Sequence, residues 1–243
     1  MRFKLTLHSE CGTIELPVHY NHMIQAAIYR NLSPEFASFL HNQGYVIDKR
    51  RFPLFVFSRM IGSYTYVPSQ KILRFQAPAY LFISSPVSQF IHDMAQIFLR
   101  DGIQLGRQQL RVTEVETSSI NVEQDEIKVQ TLSPVVAYST LLRPDGRKYT
   151  LYFPPRTSDF KRIVSENLVR KAKLIYGEET EFEPIDIQEI GTHKKHVTFY
   201  KSTVIEAYSG RFHLRGDQRL LQTAVDTGLG SKNSMGFGMV RVC

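Results

Sequence analysis

The chain has 243 residues, 42% of them hydrophobic and 22% charged, which fits one large or two small ordered domains and excludes a disordered polymer. A formal charge of +7 favours a polyanionic partner without identifying it. Cys11 and Cys243 are the only cysteines and no Cys or His cluster has zinc spacing, so no disulfide framework, metal or other cofactor is expected, and no stretch reaches the length of a membrane span.

Arg2–Leu7 alternates as a strand and lacks the apolar core of a signal peptide, so a cytoplasmic protein is expected. A helix follows, with Asn21 as N-cap and Ile24, Ala27 and Ile28 on its apolar face. Ser33-Pro34-Glu35 has the cap, the first-position proline and the first-turn acid of a second helix start. Phe36, Phe39 and Leu40 form its stripe and Gly44 its stop. Pro53–Met60 and Lys71–Ser84 read as strands with a turn between them. Ser85-Pro86 opens a helix with Val87, Phe90, Ile91, Met94, Ile97 and Phe98 on one face and Gly102 beyond its end, and Gln104–Glu116 returns to strand character.

The second half repeats this order. Ile127–Thr140 is strand-like, with Pro134 imposing a bend or an edge position, and Lys148–Phe153 is another short strand. Ser158-Asp159 opens a helix with Phe160, Ile163, Val164 and Ala172 on its face, ending near Gly177. Strands are expected at Glu183–Glu189, His196–Ile205 and Ala207–Leu214, then a short helix at Gln218–Val225 and a last strand at Met239–Val242. Two successive β-α-β-β-α-β orders predict an α+β chain of tandem ferredoxin-like (RRM-like) domains. The polar stretch Glu116–Asp125 is the natural boundary, placing an N-terminal domain at 1–118 and a C-terminal domain at 124–243.

Between the last helix and the last strand runs Gly228-Leu229-Gly230-Ser231-Lys232-Asn233-Ser234-Met235-Gly236-Phe237-Gly238. Its glycines allow backbone conformations closed to other residues, and such a loop can turn N–H groups toward an anion. Lys232, Asn233 and Ser234 add donors for phosphate oxygens. With Gly228, Gly230, Gly236 and Gly238 they are candidate contacts to a nucleic-acid backbone, and a plain hairpin turn is the competing reading. The P-loop pattern fails because no Gly-Lys-Ser/Thr occurs and the loop precedes a strand, and the dinucleotide fingerprint fails at Asn233. Arg156, Lys161, Arg162, Arg170, Lys171 and Lys173 cluster around the second-half helix as candidates for an electrostatic groove. Thr192-His193-Lys194-Lys195-His196 is another basic cluster, read either as a phosphate track or as a solvated hairpin tip. The RRM ribonucleoprotein motif is absent, so base stacking on an open sheet is not expected as the main binding mode.

Three stretches together carry a family resemblance: the Gly-apolar-Gly, five residues, Gly-apolar-Gly pattern of Gly228–Gly238; Thr131-Leu132-Ser133-Pro134 at the start of the second domain; and Pro17-Val18-His19-Tyr20-Asn21-His22 with Ile28-Tyr29 and Phe39-Leu40-His41. On these residues the chain resembles the CRISPR-associated endoribonucleases that cut the repeat in precursor CRISPR RNA, the family-six Cas proteins. The resemblance implies metal-independent cleavage in which a ribose 2′-OH attacks the adjacent phosphate and the 5′-oxygen leaves. The products would be a 2′,3′-cyclic phosphate and a 5′-hydroxyl, and the outcome a guide RNA. It implies CRISPR repeat RNA as partner and leaves open a CRISPR effector complex and a homodimer. Two alternatives remain: a non-catalytic repeat-RNA-binding member, and an unrelated RNA-binding protein.

That reaction needs a base near the 2′-OH, an acid near the leaving oxygen and positive charge near the phosphate. His41, at the end of its helix and followed by Asn42-Gln43-Gly44, is the candidate acid–base group: the helix C-terminus favours imidazolium, and the residue matches the family's catalytic His in its Phe-Leu-His context. A histidine that only caps helix carbonyls is the competing reading. Tyr29 matches a Tyr that some members place against the scissile phosphate, where its phenol would donate to an oxyanion or orient the 2′-OH; a half-buried helix tyrosine is the alternative. Lys49 is the candidate third member, with Arg50 and Arg51 as substitutes and as RNA contacts. Arg156 and Arg162 complete the expected RNA-binding set. His22 lies where the helix dipole disfavours its cation, and His8, His19, His92 and His213 have no partner pattern.

Overall fold

The computed structural model describes residues 1–200 and 203–243, and of His92 and Ala95 the backbone alone. The reading of His92, and that of Lys201 and Ser202 within an expected strand, lies outside the described residues. The chain divides into two compact units, Met1–Ile120 with Ser234–Gly236, and Asn121–Asn233 with Phe237–Cys243.

The first unit runs through β1 (Arg2–His8), β2 (Thr13–Pro17), α1 (Asn21–Arg30), α2 (Pro34–Asn42), β3 (Tyr45–Ile47), β4 (Arg50–Phe52), β5 (Val56–Phe57), β6 (Tyr64–Val67), β7 (Ile72–Gln76), β8 (Ala79–Ser84), α3 (Ser88–Asp101), β9 (Ile103–Leu105) and β10 (Gln108–Ser118). Its main sheet is antiparallel in the order β5-β8-β1-β10-β9. The first strand is central, between the third and fourth of the repeat, and this is the ferredoxin-like permutation. Phe3, Leu5 and Leu7 of β1 are fully buried in one core with Ile24, Ala27 and Ile28 of α1 and Phe90, Met94 and Phe98 of α3. A second sheet, β2-β7-β6, and the hairpin β3-β4 are additions to that plan.

Several local expectations are corrected here. Asn21 is not an N-cap; Tyr20 holds that position, and the Asn21 amide donates to the Met235 and Gly236 carbonyls at 2.9 and 3.2 Å. Within Pro53–Met60 only Val56–Phe57 is strand, because Leu54 takes a positive φ of 52° and Pro53 has no N–H to give. Lys71–Ser84 divides into β7 and β8 around Pro78, which cannot donate to a ladder. Helix α3 begins at Ser88, and Ser85 instead accepts from the Val87 N–H just ahead of it.

The second unit runs through β11 (Glu126–Thr131), β12 (Tyr138–Leu142), β13 (Lys148–Tyr152), α4 (Ser158–Tyr176), β14 (Asp186–Tyr200), β15 (Thr203–Arg215), α5 (Gln218–Thr227) and β16 (Val240–Val242). Its sheet, β14-β15-β11-β16, repeats the same permutation, so the protein is an α+β chain of two ferredoxin-like units. β12 and β13 form a separate hairpin. Helix α4 opens at Ser158 as expected, with Thr157 as its N-cap accepting from the Phe160 N–H at 3.2 Å. Phe160 then stacks on Phe212 of β15 at 5.9 Å, and Val164, Leu168, Leu220, Leu221 and Ala224 complete the buried layer between helices and sheet. The expected strand Ile127–Thr140 ends at Thr131; the N–H groups of Leu132 and Ser133 both turn to the Met239 carbonyl. No helix among the described residues is long and apolar enough to cross a membrane.

Candidate active site

Helices α1 and α2 bring two of the expected residues together. His41 lies in the last turn of α2 and is exposed, while Tyr29 lies near the end of α1 and is half-buried. Their ring centroids are 6.4 Å apart with planes at 86°, and Phe55 holds the other side of Tyr29 at 5.8 Å. His41 Nδ1 is 2.9 Å from Asn42 Oδ1, and Asn42 Nδ2 donates to Ser38 Oγ at 3.1 Å. A carbonyl oxygen only accepts, so Nδ1 carries the proton of that bond and Nε2 is the nitrogen left for chemistry. Asn42, expected only as part of the loop after His41, is the residue that fixes the imidazole ring.

The third element is the hairpin β3-β4. Asp48 and Lys49 form its two-residue turn with φ of 50° and 61°, the left-handed pair that matches strand twist in a tight hairpin. Tyr45 packs edge-on against Phe39 of α2 at 5.2 Å, which anchors the hairpin to the helix that bears His41. Lys49 therefore stands at the tip, with Arg50 and Arg51 on opposite faces of β4. All three are exposed and form no ion pair among the described residues. The structure brings Tyr29 to His41; it leaves Lys49, Arg50 and Arg51 as solvated cations on the following hairpin.

The four glycines of the run are packed inward, and the N–H groups of Gly228, Leu229, Ser231 and Gly238 are taken within the protein, which corrects for these four positions the expectation that they turn to an anion. The Gly228 N–H bonds the Ala224 carbonyl, Leu229 bonds Gly238, Ser231 bonds Val136, and Gly238 bonds Pro134. All four glycines are buried. A Cβ on Gly230 would stand 2.4 Å from the Val136 carbonyl oxygen, and one on Gly238 2.0 Å from that of Leu229. Gly236 is closed in by Phe57 and Asn21. Asn233 is likewise corrected as a phosphate donor: its amide N–H groups go to the Leu229 and Phe237 carbonyls, both at 3.0 Å. Lys232 and Ser234 remain half-exposed, the Lys232 ammonium lying 4.9 Å from the Tyr138 ring centre, with burial lowering its pKa.

The basic cluster of α4 is mostly neutralised or hidden. Arg162 donates to Asp159 and Glu166 at 2.8 and 3.0 Å, and Arg170 pairs with Glu166. Arg156 donates to Glu189 and to the Gly191 carbonyl. Lys171, expected in a groove, is only 1% exposed. Its Nζ donates to the Gly228 carbonyl and, at 3.2 Å, to Asn233 Oδ1, and desolvation lowers its pKa to about 7. The sequence held a signal for this, since Lys171 falls on the Phe160, Val164, Leu168 stripe.

Residues 15–116 match the family model for the N-terminal part of the CRISPR-associated protein Cas6, and residues 115–242 match that for its C-terminal part. A protein named CRISPR-associated endoribonuclease Cas6 1, from Methanocaldococcus jannaschii, is 27% identical over 99% of this chain and 92% of its own. The CRISPR-associated endoribonuclease Cas6 of Pyrococcus furiosus is 24% identical over 100% of this chain and 90% of its own. The solved structure of the product of a Cas6-related gene from P. furiosus has the same fold, with a TM-score of 0.86 at 20% identity over 100% of this chain and 98% of that one. With both halves of the model matched in order along a doubled ferredoxin-like chain, the protein belongs to the Cas6 family of CRISPR-associated proteins.

Proposed function

We propose that this protein is a metal-independent endoribonuclease that cuts CRISPR repeat RNA within precursor transcripts in the cytoplasm. The first domain carries the catalytic residues, and the second carries the glycine-rich loop that supports RNA binding. The observation that carries this reading is the edge-on pairing of an exposed His41 with Tyr29 at 6.4 Å, in a chain of the Cas6 family. The 2′-oxygen forms a bond to phosphorus as the bond to the 5′-oxygen breaks; a proton leaves the 2′-OH and one is delivered to the leaving oxygen. His41 Nε2 moves a proton in this exchange. The Tyr29 phenol donates to a non-bridging oxygen as charge develops there. Lys49, with Arg50 and Arg51, neutralises the phosphate. The ends formed are a 2′,3′-cyclic phosphate and a 5′-hydroxyl.

The test is single-turnover cleavage of the host's repeat RNA in EDTA, beside a substrate with 2′-deoxyribose at the cut site. The all-ribose RNA should be cut and the deoxy RNA should survive. His41→Ala should slow cleavage by about 10²–10⁴-fold, the range of an acid–base group. Near-normal cleavage by that variant would remove His41 from the mechanism. Tight repeat binding without cleavage by the unaltered chain would favour a non-catalytic RNA-binding member.

A further inference from the structure

The basic cluster Thr192–His196 lies at an irregularity that no part of the mechanism uses. Along β14 and β15, Ile190 pairs with Arg211 and the next pair in register is Lys194 with Ser209. Gly191, Thr192 and His193 thus face a single residue of β15, a bulge made possible by the φ of 76° at Gly191. A cavity of about 490 Å³ opens there, lined among others by Gln130, Thr131, His193, Lys194, Ser209 and Arg211. Phe212 stacks on α4, so its neighbour Arg211 points to the helix-free face of the sheet, where it pairs in register with Gln130.

The charges around this cavity are arranged for an anion. Glu189, 3% exposed, accepts from Arg156 Nε at 2.7 Å and His193 Nδ1 at 2.8 Å. Burial alone would raise its pKa, but those two hydrogen bonds outweigh it and hold the group ionised. Glu189 pairs in register with Phe212, so this carboxylate, with His193 and its edge-on neighbour Tyr208 at 5.3 Å, lies on the helix-bearing side of the sheet and is neutralised there, away from Arg211. The nearby Glu206 is paired with Lys195, and Glu126 with Arg215 and His213. Lys194 and Arg211 have no ion-pair partner among the described residues. Gln130 gives its oxygen to Arg241 and retains its amide N–H groups, and the Thr131 hydroxyl adds a further donor.

We propose that this cavity is a second anion subsite that holds the ribose-phosphate backbone of single-stranded RNA, with Lys194 and Arg211 on phosphate oxygens. Arg211 presents the planar fork suited to two phosphate oxygens, and Lys194 a mobile point charge. Gln130 and Thr131 suit a ribose 2′-OH, which both donates and accepts. The walls are polar and cationic without an exposed aromatic platform, which fits a strand held by its backbone and not by its bases. The inference rests on the reading of the chain as an RNA-handling protein.

The test is anisotropy of a labelled single-stranded oligouridylate with the full chain carrying His41→Ala, over a series of salt concentrations. Lys194→Ala with Arg211→Ala removes two phosphate contacts, so the slope of log K against log salt should flatten by about 1.4 and affinity at 0.1 M salt should fall about tenfold or more. Arg211→Lys, which keeps the charge, should retain the slope. Unchanged slope and affinity in both the double-alanine and the Lys194→Glu, Arg211→Glu variants would overturn the proposal, as would an unaltered chain that binds no oligouridylate. An equal loss of binding to oligo-aspartate would show a general polyanion site and overturn the ribose-phosphate assignment. Failure of the nuclease reading is separate: repeat RNA would remain uncut while oligouridylate binding kept its dependence on Lys194 and Arg211.

Discussion

Lys171 shows how one residue supports the signature loop. It sits on the buried face of α4, and both its partners, the Gly228 carbonyl and Asn233 Oδ1, are neutral. Among the described residues no carboxylate offsets the desolvation of the ammonium, and its pKa falls from 10.5 to about 7. Between those values the unfolded chain holds a proton that the folded chain has released. Stability should therefore rise with pH from about 7 to 10.5, by at most about 1.4 kcal/mol per pH unit from this group, and level off above that window. Below pH 7 both states are protonated and the burial penalty is complete. Urea unfolding at pH 7, 8 and 9 should show this rise, and Lys171→Met should remove the part that Lys171 contributes. Equal slopes in the two proteins would place the charge elsewhere.

At the scale of elements, the glycine run acts as a packed corner between α5 and β16. Its glycines are required by close approach as well as by φ. Gly238 has φ of 82° and a Cβ there would meet the Leu229 carbonyl oxygen at 2.0 Å, whereas Gly146, in the turn between β12 and β13, has φ of 78° with open space around it. Both alanine variants incur the left-handed strain, about 1–2 kcal/mol. Gly238→Ala adds an overpacking cost of roughly 1–3 kcal/mol. Denaturant titration should thus rank Gly238→Ala clearly below Gly146→Ala in stability; a matching pair of midpoints would mean that the corner relaxes freely. The glycine spacing of the run is a packing pattern that supports Lys232 and Ser234 at the surface.

For the whole molecule, the formal charge of +7 matters less than which cations are uncommitted. Arg156, Arg162, Lys195 and Arg215 are paired with carboxylates. Lys49, Arg50 and Arg51 on the β3-β4 hairpin and Lys194 and Arg211 at the bulge have no such partner among the described residues. Each of these that meets a phosphate of single-stranded RNA should add about 0.7 to the slope with which log K falls against log salt. Filter binding between low and moderate salt measures this directly. A slope near zero would show that RNA is held without these cations.

The amino-acid sequence alone determined the twice-repeated strand and helix order, because hydrophobic period and helix-start chemistry are local and survive without neighbours. Ser33-Pro34-Glu35 and the stripes of α3 and α4 are legible for that reason, as is the glycine spacing that marks the family. His41 and Tyr29 were nameable through that resemblance, but their edge-on meeting was not, since it depends on how α1 and α2 turn about Asn31 and Leu32. The strand at Pro53–Met60 shrank because the positive φ of Leu54 has no sequence signal. Only the tertiary structure decided that the N–H groups of Gly228 and Gly238 face inward, that Asn21 and Asn233 hold carbonyls instead of capping a helix or binding phosphate, and that Lys171 is buried. It alone opened the cavity at Gly191–His193. A polar side chain's role depends on whether distant segments supply its partners and exclude water, and that choice is made by packing across the fold, not by its neighbours in the chain.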